Sequence, residues 1–135
     1  MNILKRIVSI QTLGPDILRL AVCAILFTHG SYRILSGEAP GLGGVLREEG
    51  VPTPLLFGWL VCIAETLGTT LLALRILVLP ITLILSTIYF TGIMMFHRHS
   101  GFFVVGPGHD GWEYSALLIT CLFVTAWENR ARKFL

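Results

Sequence analysis

Glu65 stands inside an apolar run from Pro54 to Leu74, eleven residues after Pro54. If that run crosses a bilayer, the carboxyl is near mid-depth, where an ionisable group costs about 2.5–3.5 kcal/mol on insertion scales. It therefore needs a partner or a purpose. At about 100° per residue, Gly58, Cys62, Gly68, Thr69 and Leu72 share its face. That face is small and polar, the composition of a helix–helix interface, whereas Leu56, Leu60 and Leu67 lie opposite. A second stripe runs along Arg19, Cys23, Leu26, Gly30 and Arg33, with His29 close to Arg33. Ser86, Phe90 and His97 align on a third run, and Glu113, Leu117, Thr120 and Val124 on a fourth. If all four stripes face inward, His29, Arg33, His97 and Glu113 gather in the outer half of a bundle, above Glu65. Such a group can receive the polar head of an apolar ligand or relay protons. It can equally serve structure alone, with Glu65 protonated or paired to an arginine and Glu113 paired to Arg33. Arg19 is expected to snorkel to the inner surface.

Three of the four histidines fall in "FHRHSGFFVVGPGHDGWEY", residues 96 to 114, together with Asp110 and Glu113. On a helix the rings of His97 and His99 point roughly 200° apart and cannot share a metal. Haem between His29 and His97, both at outer helix ends, stays geometrically open. No cysteine or acid sits at a recognised metal-ligand spacing, so no metal site is assigned. His99 and His109 read as solvated loop residues. Cys23, Cys62 and Cys121 all lie inside apolar runs without a CxxC pair, which makes them small core residues and not a disulfide framework.

The elements that must position these groups are membrane helices. The chain is 54% hydrophobic and only 13% charged over 135 residues, whereas a soluble domain averages about 25% charged. A spanning helix needs about 20 mostly apolar residues. The expected helices cover about 16–36, 54–74, 76–97 and 112–128, the first opening at Gly14-Pro15-Asp16. The fourth is the shortest. Ahead of them, Ile3, Leu4, Ile7 and Val8 recur opposite Lys5, Arg6 and Ser9, which predicts a short amphipathic helix on the membrane surface. Ile7 to Ile10 is too short for a cleavable signal's apolar region. The loop after the first helix is rich in Gly and Pro, with one short helix expected over "GGVLREEG". Leu74-Arg75-Ile76 makes so short a link that its two helices must be antiparallel neighbours. Loop 98–111 should form an outer cover. Lys5, Arg6, Arg75, Arg130, Arg132 and Lys133 fall on one side, against Arg33, Arg47 and Arg98 on the other. That bias puts both termini in the cytoplasm. No basic cluster points to nucleic acid.

The same residues carry a resemblance to the DoxX family of small four-helix bacterial and archaeal membrane proteins. It rests on "LRLAVCAILFTHGSYRIL", "GVPTP", "AETLGTTLLAL", Arg75 and "GWEY", in that order, over about residues 16 to 127. The ending "AWENRARKFL" departs from the family's Gly-rich close. Arg19, His29, Gly30, Arg33, Glu65 and Glu113 are the motif positions present. The resemblance implies a kinship with the membrane subunit of thiosulfate:quinone oxidoreductase and with members tied to oxidative-stress partners.

The expectation is thus an all-α membrane protein, one domain over 1–135. It is a four-transmembrane-helix antiparallel bundle with a short N-terminal interfacial helix, in the bacterial or archaeal cytoplasmic (inner) membrane. Its function is that of a quinone-interacting subunit of an oxidoreductase or oxidative-stress system. His29, His97 and Glu113 would bond the quinone oxygens, Arg33 would hold negative charge, and Glu65 would store or relay a proton. Tyr89, Phe90 and Trp112 would wall the ring. The chain has no redox centre of its own, so a soluble or membrane redox partner must exchange electrons with it. A homo-oligomer stays open. Two other classes compete: a binder or carrier of a lipid or small hydrophobic molecule, and a non-catalytic assembly or anchor subunit.

Overall fold

A computed structural model describes residues 3–132, with side chains from Leu13 to Ala131. Every regular element among them is helical. We label them α1 (Ile3–Leu35), α2 (Ala39–Glu48), α3 (Pro54–Ala73), α4 (Val78–His97) and α5 (Glu113–Arg132). Among the described residues three helical stretches are long and apolar enough to cross a membrane: Leu13–Leu35 of α1, all of α3 and all of α4. α5 is as long as α3 but carries Glu113 at its start and Glu128, Arg130 and Arg132 at its end.

α1 does not begin after Pro15 as the sequence suggests. The helix runs through it from Ile3; the proline's fixed φ is helical, at the cost of one amide donor and of crowding the carbonyl four residues back. The N-terminal stretch is therefore continuous with α1, and its face lies outside the described side chains. α2 starts earlier than "GGVLREEG", at Ala39, with a proline in its first turn. It is also more than a surface turn, since Ala39, Gly43 and Leu46 are buried. A methyl on Gly58 of α3 would stand 2.9 Å from the Gly43 amide nitrogen and 3.0 Å from the Ala39 carbonyl oxygen. Glycine at both helices is what lets the two backbones touch.

α1 packs on α3 and α5, and α4 packs on the same two helices. Leu26, Leu72, Leu85 and Leu122, one from each of these helices, are fully buried in a common core. Outward, Leu20, Leu56, Leu60, Leu67, Leu83 and Phe123 are exposed. An apolar exterior around an apolar core is the arrangement lipid permits and water does not.

The inward stripes expected for α1 and α3 are the buried ones: Arg19, Cys23, Leu26 and Gly30 on α1, and Gly58, Cys62, Glu65, Thr69 and Leu72 on α3. The stripes expected for the last two helices are rotated. α4 buries Val78, Ile81, Thr82, Leu85 and Ile93, which leaves Phe90 outside. α5 buries Ser115, Leu118, Leu122 and Thr125, which leaves Leu117 and Val124 outside. Apolar residues occur on every side of both helices, so spacing of the polar ones alone does not fix the buried face.

α3 ends in a turn whose Arg75 (φ 61°) and Leu77 (φ 51°) are left-handed, a conformation uncommon outside glycine. Arg19 fixes that end. It is buried and does not snorkel: its Nη1 donates to the carbonyls of Leu72, at 3.2 Å, and of Ala73. A guanidinium there satisfies carbonyls that have no intrahelical donor and faces the negative end of the helix dipole. Arg75 in turn pairs with Asp16 of α1 and, at 3.3 Å, with Glu128 of α5. Three chain segments are thereby tied at the terminal end of the molecule. Arg19→Leu should lower stability by about 1.5–3 kcal/mol, the value of hydrogen bonds from a charged donor. Thermal unfolding in detergent measures this, and an unchanged midpoint would remove Arg19's capping role.

Candidate functional site

At mid-length of α3, about two turns from that network, Glu65 is held by two partners from two other helices. Arg33 of α1 forms an ion pair with its Oε2. The Tyr89 hydroxyl of α4 donates to Oε1 at 2.6 Å. The Glu65 side chain is 2% exposed and that of Arg33 28%. Both carboxylate oxygens are therefore engaged, as a charge out of water requires.

Local backbone choices make this contact. Residues Ala64–Gly68 form one turn of π-helix within α3. Such a turn inserts a residue into the helix and re-aims a side chain, and it is frequent at functional sites. The carbonyls it disturbs take hydroxyl donors. Thr69 bonds the Glu65 carbonyl and Thr66 that of Cys62. On α1, Gly30 supplies the approach: a methyl there would stand 2.7 Å from both Glu65 Cβ and Thr66 Oγ1. Only a bare Cα lets α1 come close enough for Arg33, three residues on, to reach the carboxylate.

This cluster stands in the wall of a cavity of about 510 Å³ enclosed by α1 to α5. His29, Arg33, Glu65, Tyr89 and His97 all line it. Most other lining is apolar, including Leu46 and Phe57, with Tyr114 and Ser115 of α5 closing one side. His29 and Arg33 also border a more open hollow of about 600 Å³ with Tyr32 and Glu38. The two residues thus form a partition between a recess within the helices and the outer flank of α1.

Five of the eight sequence candidates are therefore gathered on one cavity, and three are not. Phe90 points outward, 56% exposed. Trp112 packs edge-on against Phe102, with ring centroids 4.8 Å apart. Glu113 takes the Val104 amide on Oε1 at 2.9 Å, and so organises the loop between α4 and α5 and not the cavity. That loop is tied together by its own backbone hydrogen bonds. Trp112 and Glu113 amides donate to Gly101 and Phe102 carbonyls, and the Gly111 amide to that of Phe103. A methyl on Gly111 would lie 2.4 Å from the Phe102 carbonyl, so only glycine fits. His97, in a second π-helical turn, Ile93–His97, meets the Asp110 carbonyl through Nδ1 at 2.6 Å. A carbonyl only accepts, so Nδ1 carries the hydrogen, and His97 joins that loop to the cavity.

Sequence reasoning missed Tyr114 and Ser115, which no charge or spacing flags, and it named Tyr89 as a ring wall without its hydroxyl's bond to Glu65. No group of three or more His, Cys, Asp or Glu side chains among the described residues is placed to hold a metal ion. Arg33→Leu should destabilise the protein by about 3–5 kcal/mol, because it strands a buried carboxyl. The double variant Arg33→Leu/Glu65→Leu should lose less than the sum of the two single variants. Unfolding of the four proteins in one detergent measures the coupling, and simple additivity would mean that the pair does not interact.

Neither the curated proteins nor the solved structures yielded a match to the chain. A family model did: DoxX matches residues 14–98, more than half of the sequence. The match spans Arg19, His29, Arg33, Glu65, Tyr89 and His97. It stops short of the "GWEY" start of α5, so the wider resemblance over 16–127 is carried by the family model only as far as the end of α4. With three helices able to cross a membrane, the chain is a multi-pass membrane protein and belongs to the DoxX family.

Proposed function

We propose that the cavity binds an amphipathic molecule of the quinone class, and that the protein is the membrane subunit of a quinone-linked oxidoreductase or oxidative-stress system. One observation carries this reading: a neutralised Arg33–Glu65–Tyr89 cluster forms one polar patch in an otherwise apolar cavity of about 510 Å³. Ligand sites typically enclose about 300–1,000 Å³ and combine apolar walls with few polar groups. A quinone supplies two-electron, two-proton chemistry when bound. The chain's own part is to hold it. Arg33, still partly exposed, offers the remaining guanidinium hydrogens to a carbonyl oxygen. His29 and His97 provide further ring nitrogens on the same cavity. The Tyr89–Glu65 hydrogen bond is a short path along which a proton can be held or passed. Electrons come from a partner protein.

In this reading α5 is a fourth span beside α4, and the helices form one antiparallel domain. Both termini are cytoplasmic in the inner membrane of a bacterium or archaeon, on the bias of basic residues towards that side. Glu113 and Trp112 serve by holding the loop between α4 and α5 in place. A second reading, a lipid or other small hydrophobic molecule as cargo, is favoured by the apolar share of the lining and needs no redox partner.

Binding of a short-chain benzoquinone or naphthoquinone to the purified protein, read by tryptophan fluorescence or calorimetry, tests the first reading. His29→Phe should weaken it about five- to tenfold, the value of one hydrogen bond, and Glu65→Gln should weaken it further by freeing Arg33 from its anchor. No binding, or binding indifferent to both substitutions, would overturn it. Tight binding of an acyl chain instead would favour the second.

A further inference from the structure

A separate cleft lies at the terminal end of the molecule, between the first half of α4 and the second half of α5. It encloses about 390 Å³. Leu79 and Leu83 of α4 form one wall, and Phe123, Ala126 and Trp127 of α5 the other. These residues recur at three and four positions, so each set is one helix face. The aromatic pair on the rim, Phe123 and Trp127, is exposed and stacked edge-on at 6.2 Å. Thr82 adds little polarity, since its hydroxyl is committed to the Leu79 carbonyl.

The cleft has one charged end. Arg130 lines it there, two helical turns below Phe123, about 10 Å along the axis. Arg130 is exposed and makes no ion pair or hydrogen bond among the described residues. Arg47 of α2 is likewise exposed and without such a partner, but it does not line this cleft, and the remaining described arginines are engaged. Arg19 holds carbonyls, Arg33 holds Glu65, Arg75 holds Asp16 and Glu128, and Arg98 holds His99. An unneutralised guanidinium at the mouth of an apolar furrow asks for a ligand with an anion at one end and hydrocarbon behind it. α4 is a membrane-crossing helix by length and composition, so what surrounds the furrow is lipid. A tryptophan beside the cation is what the headgroup region favours, and basic pockets between spanning helices select anionic headgroups.

We propose that this cleft is a binding site for an anionic glycerophospholipid, its phosphodiester on Arg130 and the upper part of one acyl chain between α4 and α5. The site is independent of the cavity at Glu65, and neither reading depends on the other.

The test uses the whole protein, reconstituted in vesicles of equimolar phosphatidylcholine and phosphatidylglycerol, extracted in mild detergent and weighed by native mass spectrometry. The wild type should retain phosphatidylglycerol in preference to phosphatidylcholine. Arg130→Gln, a surface change, should reduce that preference about fivefold, matching the ~1 kcal/mol that a basic side chain contributes at an anionic surface. Ala126→Trp should fill the furrow and release the lipid while Arg130 remains. Arg47→Gln, which removes an exposed arginine of α2 far from the cleft, should change neither. Equal retention of both lipids, or an undiminished preference in Arg130→Gln, would overturn the proposal. So would a doubled mass that Ala126→Trp returns to one chain, because a second copy would then occupy the cleft.

Discussion

A carboxyl in the middle of an apolar helix must be neutralised, and much of this molecule is arranged around that need. Glu65 cannot reach water, so its partners must come to it. α1 brings Arg33, which requires the bare backbone of Gly30 against α3. α4 brings Tyr89. The π-turn of α3 sets the direction of the carboxyl, and hydroxyls of Thr66 and Thr69 absorb its cost in backbone bonding. Three helices are thus fixed in register by one side chain. The same meeting keeps their ends apart enough to leave a cavity beside it.

The two ends of the molecule solve opposite problems. The terminal end is sewn shut: Arg19 closes the C-terminus of α3, Arg75 ties α1 to α5, and four leucines fill the space behind them. The other end holds the cavity and the loop between α4 and α5. There the connection from α4 to α5 cannot be a slack loop, because its backbone bonds need Gly111 at a point where no side chain fits. Glu113 and His97 bond that loop at its two ends.

How much of this was legible in the sequence depends on how polar each helix is. α1 and α3 carry arginines, glycines, threonines and a glutamate on one side, and those marks located their buried faces. On α4 and α5 the threonines and charges are spread over several faces or lie at the ends, so spacing alone placed Phe90, Leu117 and Val124 inside, and packing put their neighbours there instead. Glu113 was legible as important but not as what it is, a backbone acceptor for Val104, because a loop's hydrogen bonds leave no periodic trace. Arg19 was misjudged for a related reason. A cation one turn inside a membrane helix ordinarily reaches for the surface, and only the fold reveals that the end of α3 offers carbonyls nearer by. Pro15 misled as a boundary because proline ends a helix only when the lost bond cannot be spared.

An ion pair inside a membrane protein is not by itself a reason for stability. Hydrocarbon of the same volume often serves as well or better, and a pair kept only to hold three helices together would be best enclosed on every side. This pair is not enclosed. Arg33 remains partly exposed between two hollows, and Tyr89 spends its hydroxyl on a carboxylate that already has a cation. The Tyr89 hydroxyl fixes α4 against α3 and also makes a chain of exchangeable hydrogens leading to the cavity wall. Hydrogen bonding of that kind, placed beside a cavity, is what weighs towards a working site over a structural clasp.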